Sequence, residues 1–232
     1  MWSDYRARGA SGGIYLRHLI VVGIEFALTG REWGRSLFDK VFAICALLFF
    51  APILVLVSIL IFVFEGGPLF FAHRRVGKNG RPFRCYKFRT MVCDAEARLE
   101  QILESDPAAR AQWEATQKLD DDPRVTAIGT FLRRTSLDEL PQFWNVILGD
   151  MAIVGPRPIV ASEVSHYGNH FCEYVSVKPG ITGLWQVNGR CNTTYESRVA
   201  MDVEYVHNRC FTGDLRIILK TVTIVVSGDG AR

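Results

Sequence analysis

Residues 41–64 read VFAICALLFFAPILVLVSILIFVF, 24 consecutive positions without a charged side chain. About 20 apolar residues in a helix suffice to cross the hydrocarbon core of a bilayer. A buried core helix of that length ordinarily keeps a polar face, which this run lacks. Pro52 stands near its middle, where it removes a backbone donor and crowds the preceding turn. Each half then measures roughly 18 Å as helix, too short for a core of about 30 Å. The flanks are basic on both sides: Arg31, Arg35 and Lys40 before, then Arg74, Arg75, Lys78, Arg81, Arg84, Lys87 and Arg89 after. Lys and Arg stay on the cytoplasmic side of a membrane. The reading is a re-entrant membrane helix broken at Pro52 that enters one leaflet and returns; a kinked single-pass helix is the competing reading.

The rest of the 232 residues reads as one water-exposed body. Hydrophobic residues make up 49% and charged ones 22%, ordinary for a globular protein, which excludes a disordered tail, a collagen-like chain and a multi-span transporter. A net charge of +3 does not call for nucleic acid as a partner. Cys45, Cys85, Cys93, Cys172, Cys191 and Cys210 form no C-x-x-C pair, so they predict neither a zinc site nor a disulfide framework, and read as reduced thiols facing the cytoplasm. Glycine-rich nucleotide loops and the G-x-S-x-G elbow are missing.

Helical spacing is predicted for residues 14–28, amphipathic or buried, and for 94–104. Asp106-Pro107 reads as a cap and first position of a further helix, and 119–126 as a polar loop. Near the end, Leu215, Ile218, Leu219, Val222 and Val226 share one helical face, for packing on the core or lying in the headgroup region.

Three short segments carry candidate chemistry. In RRTSLDELPQ, residues 133–142, Ser136 with Glu139 matches a capping box, and Asp138 is a second candidate cap before Pro141. Either way Asp138 and Glu139 sit at a helix start, where ionised carboxylates are favoured. Two carboxylates beside Arg133 and Arg134 suit a metal and an anionic substrate; a capped helix with exposed arginines explains the same residues. In Gly155-Pro156-Arg157-Pro158, two prolines fix the backbone around one guanidinium, suited to bidentate phosphate binding or to a rigid solvated turn. CYKFRTM, residues 85–91, reads as a short strand with Lys87 and Arg89 on a basic face, for a substrate or for anionic headgroups.

The strings KFRTM, RRTSLDELPQFWNVILGDMAIVGPRP and KPGITGLWQVNGR closely resemble bacterial sugar transferases, the monotopic polyprenyl-phosphate phosphoglycosyl transferases that initiate exopolysaccharide synthesis. The resemblance implies transfer of a hexose 1-phosphate, galactose or glucose, from a UDP-sugar to polyprenyl (undecaprenyl) phosphate with release of UMP. It implies Asp138 as nucleophile, Glu139 as holder of Mg²⁺ (or Mn²⁺), Lys87 and Arg133 near the phosphates, Arg157 on the nucleotide diphosphate, and Arg89 within the substrate-binding motif. It also implies the inner membrane, a catalytic domain facing the cytoplasm, membrane lipids as partners and room for a homo-oligomer. One departure is Ala51-Pro52, where the family often has Ser-Pro. Two other classes stay open: a non-catalytic membrane-anchored module that binds lipid phosphates, and a glycosyltransferase that releases UDP. The expected fold is α+β and mainly helical: residues 1–40 an amphipathic segment, 41–64 the re-entrant helix, and 65–232 a compact catalytic domain with amphipathic interfacial helices.

Overall fold

The computed structural model describes residues 7–116, 119, 121–189 and 193–227, with side chains from Glu32 onward except at 115, 116 and 226. Residues 14–28 lie in its first helix, and their predicted amphipathic face falls outside the described side chains. That helix, α1 (Ala7–Glu65), is followed by a hairpin of β1 (Phe70–Val76) and β2 (Pro82–Phe88). Next come α2 (Ala95–Ser105), α3 (Pro107–Thr116), α4 (Ala127–Thr135) and α5 (Gln142–Leu148). The chain continues through β3 (Ala152–Val154), α6 (Val164–Tyr167), α7 (Phe171–Ser176) and β4 (Gly180–Thr182). It closes with α8 (Leu184–Asn188), α9 (Tyr195–Asn208) and α10 (Phe211–Ser227). The described residues are therefore mainly helical, with an antiparallel β1–β2 pair and a parallel β3–β4 pair, consistent with an α+β class.

α1 runs through Pro52 without interruption. Only 11% of its most apolar window, within Glu32–Glu65, is buried. One stripe packs on the body. Ala43 enters a cluster with Cys85, Val146, Met151, Ile153 and Tyr205, while Val57 and Ile61 join Phe88 and Leu132. Leu48, Phe49, Val55, Leu56, Ile59, Phe62, Val63 and Phe64 are exposed. This inverts the pattern of a soluble surface helix, whose apolar stripe faces the core and whose remainder is polar.

Polar contacts fasten α1 at both ends of that run. On the N-terminal side Arg35 pairs with Asp214 of α10 at 3.0 Å, and Asp39 Oδ1 accepts the Ile153 N–H at 3.2 Å. At the C-terminal side Arg89 donates to the carbonyls of Glu65 and Gly66, each at 2.9 Å. Four orphan carbonyls end any helix, and here a buried guanidinium from the end of β2 satisfies carbonyls at that end.

Several local expectations hold. The 94–104 spacing becomes α2, and the Asp106 carboxylate accepts from Ala108 N–H at 2.8 Å as a cap of α3. α10 places Ile217 and Ile218 against the core and leaves Leu215, Leu219 and Val222 exposed. Ile218 therefore does not share its surroundings with the other residues of the predicted face, and Val226 falls outside the described side chains.

Candidate active site

The RRTSLDELPQ segment folds differently from a capping box. Ser136 adopts a left-handed conformation (φ 56°) and closes α4, its N–H pointing to the carbonyls of Leu132 and Arg133. An N-cap needs an extended backbone, so Ser136 serves the end of one helix rather than the start of the next, and its side chain caps nothing. Leu137–Glu139 then form one 3-10 turn ahead of α5, in which Asp138 caps no helix either. This turn sets Asp138 and Glu139 against β2.

Lys87 joins them. Its Nζ lies 2.5 Å from Glu139 Oε1 and 3.7 Å from Asp138 Oδ2. Gln142, itself buried, also hydrogen-bonds the Glu139 carboxylate. The two carboxyls are driven in opposite directions. Burial pushes Asp138 above the usual carboxylate range, with Lys87 opposing and Glu139 adding to the rise. For Glu139 burial also raises, but Lys87 and then Arg157 outweigh it, so its carboxyl is held below the usual range. Adjacent carboxyls separated this way are suited to different roles.

Arg133 Nε donates to Thr90 Oγ1 at 3.0 Å and lies close enough to Asp138 to feel its charge. Gly129 of α4 makes this approach possible, since a Cβ there would sit 2.1 Å from the Thr90 carbonyl oxygen. Arg157 is exposed between two buried prolines, as its rigid turn predicts, with its guanidinium carbon 5.9 Å from the Trp185 ring. The turn rests on β4: a Cβ on Gly180 would sit 2.1 Å from the Gly155 nitrogen. Glu139, Lys87, Gln142 and Arg157 line one cleft together with Arg75, Cys85 and Gln186.

Asp138, Glu139, Lys87 and Arg133 are thus brought together, and Arg157 faces Glu139 across the cleft. Arg89 is elsewhere. It is 6% exposed, engaged with Glu65 O, Gly66 O and Cys93 Sγ, and its place is the end of α1. The basic face read from CYKFRTM is therefore divided: Lys87 points at the carboxylates and Arg89 at the end of the apolar helix α1. Arg75, Cys85, Gln142 and Gln186 escaped the sequence reading. The hairpin register was the available signal for the first two. It pairs Phe71 with Lys87, His73 with Cys85 and Arg75 with Phe83, so Arg75, Cys85 and Lys87 share one face.

Among the described residues no group of three or more His, Cys, Asp or Glu converges. A magnesium ion is commonly held by one or two carboxylates plus substrate phosphates and water. Glu139, with Asp138 beside it, offers carboxylates of that kind.

The family model for bacterial sugar transferases matches residues 30–228. The chain belongs to the bacterial sugar transferase family. Among curated relatives it is 47% identical over 215 residues to a UDP-galactose-lipid carrier transferase of Erwinia amylovora, covering 92% of this chain and 44% of that protein. It is 46% identical over 198 residues to the exopolysaccharide production protein ExoY of Sinorhizobium fredii, covering 85% of this chain and 88% of that one. It is 38% identical over 201 residues to a UDP-glucose:undecaprenyl-phosphate glucose-1-phosphate transferase of Xanthomonas campestris, covering 83% and 39%. The chain thus spans less than half the length of the Erwinia and Xanthomonas relatives and most of the length of the Sinorhizobium one.

Proposed function

We propose that this chain is an enzyme that transfers a sugar 1-phosphate from a UDP-sugar to polyprenyl (undecaprenyl) phosphate and releases UMP, the membrane step that opens exopolysaccharide synthesis. One observation carries the reading: a buried carboxyl, Asp138, stands beside Glu139, both within ion-pair reach of Lys87, and Arg157 lines the same cleft as Glu139 and Lys87. The relatives named for galactose chemistry are 46–47% identical and those named for glucose 38%, which favours galactose as the sugar.

Asp138 Oδ attacks the sugar-proximal phosphorus. A bond forms between that oxygen and phosphorus, the bridging P–O bond breaks, and UMP leaves with the electron pair. An oxygen of polyprenyl phosphate then attacks the same phosphorus and displaces the Asp138 carboxylate, leaving a polyprenyl diphosphate sugar. A carboxylate nucleophile divides one hard step into two easier ones. Burial raises the proton affinity of Asp138 above that of an ordinary aspartate, which makes it a more basic nucleophile. Lys87, Arg133 and Arg157 are fixed cations for the phosphate charge that develops in each step. Glu139, with Asp138 beside it, would hold Mg²⁺ (or Mn²⁺), whose chemistry there is neutralising phosphate oxygens.

In this reading α1 seats the site on the cytoplasmic face of the bacterial inner membrane as a re-entrant element, with the helix continuing through Pro52 where a break was expected. The support is geometric. Arg35 and Asp39 fasten the helix before the apolar run, and Arg89 fastens it after, all to one body. A membrane-crossing segment would part those ends. The outward Leu215, Leu219 and Val222 make α10 an interfacial helix that meets membrane lipids.

The deciding experiment incubates the purified enzyme with a panel of UDP-sugars, polyprenyl phosphate and Mg²⁺, and identifies the nucleotide released. UMP is expected, most strongly with UDP-galactose. UDP as product would make the chain a glycosyltransferase of another kind, and no nucleotide from any donor would make it a binding module. Labelling both termini in oriented vesicles tests the membrane reading, and termini on opposite faces would refute re-entry.

A further inference from the structure

The cleft is lined by three cations, Arg75, Lys87 and Arg157, and one carboxylate, Glu139. Glu139 is already engaged by Lys87 at 2.5 Å and by Gln142. Arg157 has an aromatic face near it but no carboxylate within ion-pair distance among the described residues. Arg75 is the member that nothing above uses. Its Nη1 donates to the Pro158 carbonyl at 3.2 Å and lies 3.6 Å from Glu163 Oε2, an oxygen that also accepts the Val160 N–H at 2.8 Å. Guanidinium presents five donors in a planar fork, and Arg75 makes no other hydrogen bond among the described residues.

Two arginines on one small cleft repel each other. The cost is visible in Arg75, whose proton affinity is lowered by burial first and by Arg157 next. An arrangement that crowds partly desolvated like charges is relieved when a multivalent anion enters, and a planar fork matches phosphate oxygens two at a time. Lys87 and Glu139 largely cancel, and Glu163 offsets part of the Arg75 charge from one side, so Arg157 and the remaining donors of Arg75 leave the cleft net positive, suited to the diphosphate of a nucleotide.

We propose that Arg75 binds the diphosphate of the nucleotide-sugar donor together with Arg157. This rests on the proposed function and deepens it. The contact with Pro158 O ties Arg75 to the turn that carries Arg157. Position 75 is then a donor-affinity residue: it acts on the substrate and takes no part in the bond exchange at Asp138.

The test uses the full chain in detergent or nanodiscs. Binding of UDP, UMP and uridine is measured by calorimetry for wild type, Arg75→Met, Arg75→Lys and Glu163→Gln, with donor KM and kcat from UMP release. Loss of one charge-assisted contact predicts UDP binding weakened about 10- to 100-fold in Arg75→Met. UMP binding falls less and uridine binding is unchanged. Donor KM rises in step, and Arg75→Lys recovers part of the loss. Glu163→Gln, whose amide oxygen still accepts from Val160, stays within about twofold of wild type. Two results would overturn the assignment. One is UDP affinity unchanged in Arg75→Met. The other is an equal loss of UDP, UMP and uridine in both Arg75 variants, accompanied by a lower melting temperature, which marks a structural brace. A wild type that binds UDP but yields no UMP with any donor and lipid refutes the proposed function instead, while the UDP comparison still decides the role of Arg75.

Discussion

Replacing Arg89 by methionine tests how the apolar helix α1 is joined to the rest of the protein. Arg89 is 6% exposed, and its guanidinium donates to Glu65 O and Gly66 O at 2.9 Å each, and to Cys93 Sγ at 3.0 Å. It is also the cation near the Glu65 carboxylate, at 3.8 Å, whose two oxygens are buried without a hydrogen bond among the described residues. Breaking a buried pair by removing one partner costs about 3–5 kcal/mol, because the remaining charge is uncompensated. The 3.8 Å separation places this pair at the lower end, about 3 kcal/mol. For a chain of this size 1 kcal/mol shifts the melting temperature by about 2–4 °C, so Arg89→Met is expected to melt about 6–12 °C lower. Glu65→Gln in the same chain removes the uncompensated charge, and the double variant is expected to recover part of the loss. Thermal unfolding of the four proteins in one detergent gives the full cycle. A single variant melting with wild type, or a double variant no better than Arg89→Met, would refute this view of Arg89 as the latch of α1.

Two further outcomes follow from the same geometry. Gly129→Ala places a methyl 2.1 Å from the Thr90 carbonyl, forcing α4 off the strand end. A loss of about 1–3 kcal/mol or more in stability, and reduced UMP release because Arg133 leaves Thr90, are expected by denaturant titration and by assay. In the proposed mechanism Asp138 must be ionised to attack, so the acid limb of the kcat/KM–pH profile is expected to report its proton. Burial lifts that proton affinity above the usual carboxylate range and Lys87 pulls it back, so activity is lost as pH falls through a raised value. In Lys87→Met the limb is expected at still higher pH in the residual activity, and a limb that stays put or moves to lower pH would contradict the coupling.

Much of this was legible in the chain because it depends on local chemistry. An uncharged 24-residue run can only be apolar helix or membrane, and two prolines around Arg157 fix one turn whatever surrounds them. Other features depended on where helices end. S-x-x-E suggested a cap, yet α4 extends to Thr135 and takes Ser136 as its left-handed terminus, so the carboxylates sit on a 3-10 turn. Arg89 was read with Lys87 because they alternate along one strand. Strand β2 stops at Phe88, and beyond it the chain turns toward Leu69, whose carbonyl accepts the Arg89 N–H. Arg75 was hidden in a basic stretch. Only the register of β1 against β2, set by the turn at Lys78–Gly80, shows that it shares a face with Lys87. Periodicity kept Leu215, Leu219 and Val222 of α10 on one exposed face but grouped Ile218 with them, whereas Asp214 pairs inward with Arg35 and Tyr205 and Ile217 and Ile218 pack on the core.

The central claim is that Asp138 carries the sugar phosphate between donor and lipid. It is tested most directly by mixing the enzyme with a labelled UDP-sugar in the absence of polyprenyl phosphate and quenching in acid. The account predicts a burst of UMP, about one per active enzyme, with the sugar phosphate mass on the peptide that contains Asp138. Asp138→Asn is expected to show neither. An adduct on another residue, or UMP that appears only when the lipid is added, would contradict the account.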